Sequence, residues 1–145
     1  MKKETVFRLT KHIAFIEDEL KDHEKFVSFS WVEYNGDRSK RRDIERWIEN
    51  IINSSIDIAK IILSSEGLQI ADTYKDMIMS LSLITGFDKK TVERLSSWVK
   101  LRNIITHEYL DIRWSSVDVF KSEAATLYLK FLSSVKDYLN RKIEQ

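Results

Sequence analysis

The sequence contains no cysteine and no proline, and it has only three glycines in 145 residues. The lack of cysteine excludes disulfides, thiolate metal sites and a cysteine nucleophile. With so few turn-forming residues a β-rich fold is hard to build, whereas helices tolerate this composition. Gly36, Gly67 and Gly86 each stand where a helical pattern breaks off, as punctuation rather than as linkers. Long apolar runs are also missing. The longest, Met77 to Ile84, is interrupted by serines and too short to span a bilayer, so no membrane partner is expected. Met1-Lys2-Lys3-Glu4 leads into a charged amphipathic segment and not into the apolar stretch of a signal peptide, which points to a cytoplasmic protein.

Charge of one sign is scarce too. The net charge is +1, so no global basic field favours nucleic acid. One local cluster exists, Arg38, Lys40, Arg41 and Arg42. Its plain reading is a solvated helix start, and the alternative is a phosphate-facing patch. Cations at a helix N-terminus oppose the helix dipole, which keeps the cluster of interest.

What is present is enough for one folded domain over residues 1–145. Hydrophobic residues make up 43% and charged residues 32%, a balance that builds a core and argues against disorder. Apolar residues recur at three-to-four spacing in about five stretches, which predicts an all-α, up-and-down bundle. The first helix runs from about residue 4 to 34, with Leu9, Ile13, Ile16 and Leu20 on its stripe. Its end is ambiguous, because Val27, Phe29 and Trp31 alternate with serines and Asn35-Gly36 is a hairpin signal; with no partner strand in sight, helix is chosen. The second, about 40 to 65, has a wide apolar face and is expected to be central. The third spans about 72 to 85 and ends at Gly86. Asp88 caps the fourth, which carries Val92, Leu95, Trp98, Val99 and Ile105. Ser115 with Asp118 resembles a capping box opening the fifth.

The fourth helix holds the one segment with chemical promise, Leu101-Arg102-Asn103-Ile104-Ile105-Thr106-His107-Glu108-Tyr109. Arg102 falls on the stripe of Leu95 and Val99, so it faces the core, and a charge there needs a partner or an anion. Arginine suits a phosphate. Asn103 and His107 lie one turn apart and share a face, which places Asn103 to orient the imidazole. Arg102 and His107 lie about 140° apart on a straight helix. Either the helix ends near Thr106 and frees His107, or the site forms where two copies meet about a two-fold axis. With one histidine as general base and a second as general acid, such a cleft needs no metal. The base would take the proton of a ribose 2′-hydroxyl and the arginines would stabilise the charged transition state, so RNA and not DNA would be cut. From spacing by itself, a purely structural arginine and histidine is the more common reading, because a short pattern of this kind recurs by chance.

Arg102-Asn103-x-x-x-His107-x-Tyr109 resembles the Arg-x4-His-x-Tyr signature of HEPN ribonuclease toxins of the HepT type. The order of neighbouring segments also resembles that family: Arg42-Asp43-Ile44-Glu45-Arg46, then Ile56-Asp57-Ile58-Ala59, then Tyr74 opening a helix, then the motif. Residues 1–35 match only as a long amphipathic helix. Asp72-Thr73 stands where the family pattern has a proline before the third helix, a departure of local effect. The resemblance implies a homodimeric helical bundle with both motifs facing one cleft. It implies Arg102 and His107 as the catalytic pair and Asn103 as their polar neighbour. It further implies a toxin of a type VII-like toxin–antitoxin pair, with a minimal nucleotidyltransferase antitoxin as partner, RNA as substrate and no cofactor. In this family the antitoxin attaches AMP to the tyrosine of the motif, here Tyr109. If the helix continued, Arg102 and Tyr109 would share a face and the added phosphate would sit against the guanidinium.

Rival readings are weaker. His107-Glu108-x-x-Asp111 echoes a zinc-protease helix, but an aspartate stands where the second histidine belongs. His12 is expected at the surface, and His23, on the first stripe, is expected to be a hydrogen-bonded core histidine. The remaining alternative is a non-catalytic helical adaptor that binds nucleotide or docks a nucleotidyltransferase.

Overall fold

The computed structural model describes residues 1–108, 110 and 112–145, and every described element is helical. In chain order these are α1 (Lys3–Lys21), α2 (His23–Val27), α3 (Trp31–Gly36), α4 (Arg38–Ser65), α5 (Tyr74–Ser80), α6 (Lys89–Ser97), α7 (Val99–His107) and α8 (Trp114–Ile143), with a short 3-10 turn at Leu81–Leu83 after α5. The expected bundle is therefore present, with three of its helices subdivided. Among the described residues no helix is long and apolar enough to cross a membrane.

The expected first helix is broken twice, and both breaks have local causes. Asp22 closes α1, its N–H reaching Glu19 O at 3.0 Å. Ser30 then caps α3, its hydroxyl accepting from Glu33 N at 3.2 Å, while its own O–H turns to the Glu33 carboxylate. Ser30-x-x-Glu33 is thus a capping box inside what reads as one amphipathic stripe, and serine prefers that role to a helix interior. Between the breaks Phe26 and Phe29 are both buried, edge to face at 5.3 Å. Asn35-Gly36 closes α3 and forms no hairpin.

α4 is the central helix, as expected, and packs against α1, α3, α5 and α7. Its buried face runs from Ile44 through Trp47, Ile51 and Ile58 to Leu63. Its start resolves the conflict of cations with the helix dipole. Asp37 caps it by accepting from Ser39 N and Lys40 N, Lys40 pairs with Glu33 at 2.8 Å, and Arg41 pairs with Glu45 at 3.1 Å. The basic cluster is therefore a helix start in which Lys40 and Arg41 are answered by neighbouring carboxylates.

Asp88 caps α6 as expected, accepting from Thr91 N at 3.0 Å. α6 and α7 are not one continuous helix, and the break falls at Trp98. Ser96 and Ser97 bond back to the carbonyls of Glu93 and Arg94, a pairing that bends helices. The Trp98 ring is clamped by Phe120 at 4.9 Å and Tyr128 at 5.6 Å on α8. The capping box expected at Ser115 and Asp118 does not form. α8 begins at Trp114 after Arg113, with no side-chain cap, and Asp118 instead pairs with the buried Lys121 at 3.0 Å. Trp114 packs on Tyr34, so a ring contact and not a hydroxyl sets that helix start.

Candidate active site

After the break at Trp98, α7 packs against α4, α5 and α6. Val99 and Leu101 are buried, which leaves the next residue, Arg102, half-buried at the rim rather than inside the core. Its Nε donates to Asn53 Oδ1 on α4 at 2.7 Å, and a terminal nitrogen donates to Asn103 Oδ1 at 3.0 Å. The guanidinium lies over the ring of Tyr74, 5.1 Å from its centroid. Lys60 also lies over that ring, at 4.8 Å, so a single aromatic ring takes two cations. Among the described residues the partners of Arg102 are two neutral amides and a ring, and none is a carboxylate. The guanidinium is thus held in place with no described carboxylate at ion-pair distance, although Asp72 and Glu108 line the same cleft, and a guanidinium so placed suits an anion.

His107 is the last residue of α7 and is exposed. The chain leaves helical geometry at Glu108, whose φ and ψ are −129° and 42°. α7 thus ends one residue beyond Thr106, with His107 still in its last turn. Arg102, Asn103 and His107 line one cleft of about 470 Å3, walled on the other side by Thr73 and Tyr74. Thr106 ties the end of α7 to α4 by donating to Glu49 at 3.0 Å.

Asn103 plays a part other than the expected one. Its oxygen turns to Arg102, so it orients the guanidinium and not the imidazole. Tyr109 lies outside the described residues. Asp111, the last member of the zinc-like pattern, also lies outside the described residues. Among the described residues no group of three His, Cys, Asp or Glu side chains could hold a metal ion.

Asn53 and Tyr74 were not recognised from sequence as parts of the site. Tyr74 opens α5 and is fixed there by the Thr73 cap, which accepts from Asp76 N at 3.1 Å. Asn53 lies on the polar edge of α4, and only tertiary packing brings it to Arg102. The other histidines sit apart from the cleft. His23 is half-buried and hydrogen-bonded to Lys121 O at 2.8 Å, as expected. His12 is not a surface residue. It is half-buried and bonded to Ser54 Oγ at 2.9 Å, and burial pushes its imidazole below the ordinary histidine value despite the nearby Asp57.

Comparison with known proteins puts this geometry in context. A family model described as "HepT-like: Ribonuclease HepT-like" matches residues 16–134. Two solved structures are similar throughout their length. One is of a tri-AMPylated Shewanella oneidensis HEPN toxin in complex with MNT antitoxin. It is 20% identical, covers 94% of this chain and 99% of its own, and superposes with a TM-score of 0.80. The other is a toxin–antitoxin structure with AMP-PNP, 18% identical, covering 93% and 99%, with a TM-score of 0.78. At these identities the likeness is one of fold, and the all-α bundle is of the HEPN type. No curated protein matches the sequence.

Proposed function

The chain belongs to the HepT-like ribonuclease family, and from that premise we propose that it is a metal-independent endoribonuclease toxin using Arg102 and His107 in a cleft shared by two copies. One observation carries the reading. A half-buried guanidinium with no carboxylate partner among the described residues opens onto the same cleft as an exposed imidazole.

In the two-fold cleft, the His107 imidazole of one copy takes the proton of a ribose 2′-hydroxyl. The 2′-oxygen then forms a bond to phosphorus as the bond from phosphorus to the 5′-oxygen breaks. The imidazolium of the second copy returns a proton to that leaving oxygen. The Arg102 guanidinium, already oriented by Asn53, Asn103 and Tyr74, meets the charge that builds on the phosphoryl oxygens. Such preorganised donors contribute about 3–4 kcal/mol each. The substrate is RNA of the cell, so the site of action is the cytoplasm.

Regulation follows from the same site. The solved relative is AMPylated and bound to an MNT antitoxin. By analogy, a nucleotidyltransferase partner of this chain modifies Tyr109, two residues beyond His107. The phenolic oxygen attacks the α-phosphorus of ATP and pyrophosphate leaves. The added AMP supplies a phosphate for Arg102 and a base that fills the cleft.

The test is incubation of purified wild type, Arg102→Ala and His107→Ala with total cellular RNA. Cleavage by wild type alone is the expected result. Either variant cutting at the wild-type rate overturns the assignment, and a wild type that cuts nothing and is harmless on expression favours the adaptor.

A further inference from the structure

Resting on that nuclease reading, we propose that a second cleft, between α1 and α4, is a nucleobase subsite that takes an unpaired base of the RNA strand beside the scissile phosphodiester, guanine fitting best. The cleft has a volume of about 460 Å3 and is separate from the one holding His107. Asn53 belongs to both sites, since it lines this cleft and its Oδ1 receives Arg102. A strand whose phosphate lies on Arg102 therefore has this cleft within one residue's width.

The residue types match a base. Phe7 and Phe15 line the cleft from α1, two turns apart, and are 62% and 41% exposed. Single exposed phenylalanines are ordinary, but two on the wall of one polar cleft provide platforms for stacking. Lys11 lies between them, its ammonium 5.4 Å from the Phe7 ring centre, where it can also meet the strand's phosphates. Across the cleft stands Asp57. A carboxylate presents two acceptor oxygens side by side, and guanine alone of the four bases presents two adjacent N–H donors on its pairing edge, at N1 and N2. His12, on the same wall, has its imidazole pushed below the ordinary histidine value by burial and is hydrogen-bonded to Ser54 Oγ.

A second copy of the chain is the rival occupant, and the charges argue against it. Closing a protein surface over Asp57, Lys11 and Asn53 would desolvate groups that then need matched partners. A nucleotide meets Asp57 with its base edge and Lys11 with its phosphate, while Asn53 keeps its bond to Arg102.

The test measures binding of short 2′-O-methyl oligoribonucleotides, which cannot be cut, by fluorescence anisotropy. One oligomer carries a guanine and the other a uracil at the same place. Wild type is expected to favour the guanine oligomer. Phe7→Ala and Phe15→Ala are expected to weaken binding roughly tenfold each, and Phe15→Trp to retain it. Asp57→Asn is expected to erase the guanine preference while leaving uracil-oligomer affinity in place. Unchanged affinity in both alanine variants overturns the subsite. So does their conversion of a dimer to monomers in sedimentation, which would make this face an interface between copies. The two readings fail separately. A wild type that binds with guanine preference yet cuts no RNA sinks the nuclease and keeps the subsite. Cleavage with unchanged KM in the phenylalanine variants sinks the subsite and keeps the nuclease.

Discussion

Arg102 and His107 were legible from sequence because each is a polar residue with chemical competence set in an otherwise apolar helix. Their supports were not, because Asn53 and Tyr74 come from other helices and only packing assembles them around the guanidinium. Those supports make a residue-level prediction. Tyr74→Ala and Asn53→Ala leave both proposed catalytic side chains present but loosen the hold on Arg102, so cleavage is expected to fall roughly tenfold to a hundredfold. Steady-state kinetics should show the loss mainly in kcat, with Tyr74→Phe near wild type. A wild-type rate in Tyr74→Ala would mean the ring only packs. His12 makes a different prediction. Its imidazole is held below its ordinary value by burial, more strongly than Asp57 raises it. The unfolded chain therefore takes up a proton there before the folded chain does. That contribution to stability is present above the ordinary histidine range and is lost as pH falls through that range toward the folded value. Thermal midpoints are expected to drop between about pH 7.5 and about pH 5, and less steeply in His12→Gln. An equally steep drop in the variant would place the loss at other groups.

At the scale of elements, the apolar stripes identified every helical region, since stripe and burial coincide at Leu9, Ile13, Ile16 and Leu20 and again along α4. The breaks were hidden because they arise from features that leave the stripe intact. Two serines bond back to carbonyls before Trp98, and Ser30 caps α3 in mid-stripe. For the proposed site the break matters, because α7 beyond it carries Arg102 half-buried and not enclosed. A similar dependence holds at α5, where Thr73 anchors the turn that begins with Tyr74. Where the family pattern has a proline, this chain relies on that cap. Thr73→Ala is expected to cost about 1 kcal/mol in urea unfolding and to lower cleavage by displacing the ring under Arg102. Loss of stability with full activity would show that α5 does not position the site. Gly86, at φ +96° and with the Arg141 guanidinium 3.2 Å from where a Cβ would stand, ends this region in a conformation that other residues adopt only with strain.

For the whole molecule, sequence and structure agree on an all-helical HEPN bundle, and the family assignment follows from the match over residues 16–134. In the proposed mechanism, pairing of two copies supplies both a general base and a general acid, since each chain carries a single His107. A mixed pair of wild type and His107→Ala should therefore be inactive. Adding excess His107→Ala and allowing exchange is expected to depress cleavage well below simple dilution, whereas activity that follows the amount of wild type would make each chain self-sufficient. The most direct test of the central claim is mass spectrometry of the ends left when wild type cuts a defined RNA in EDTA. Attack by the 2′-oxygen leaves a 2′,3′-cyclic phosphate on one fragment and a 5′-hydroxyl on the other. A 3′-hydroxyl with a 5′-phosphate, or no cleavage until a divalent metal is restored, would contradict it.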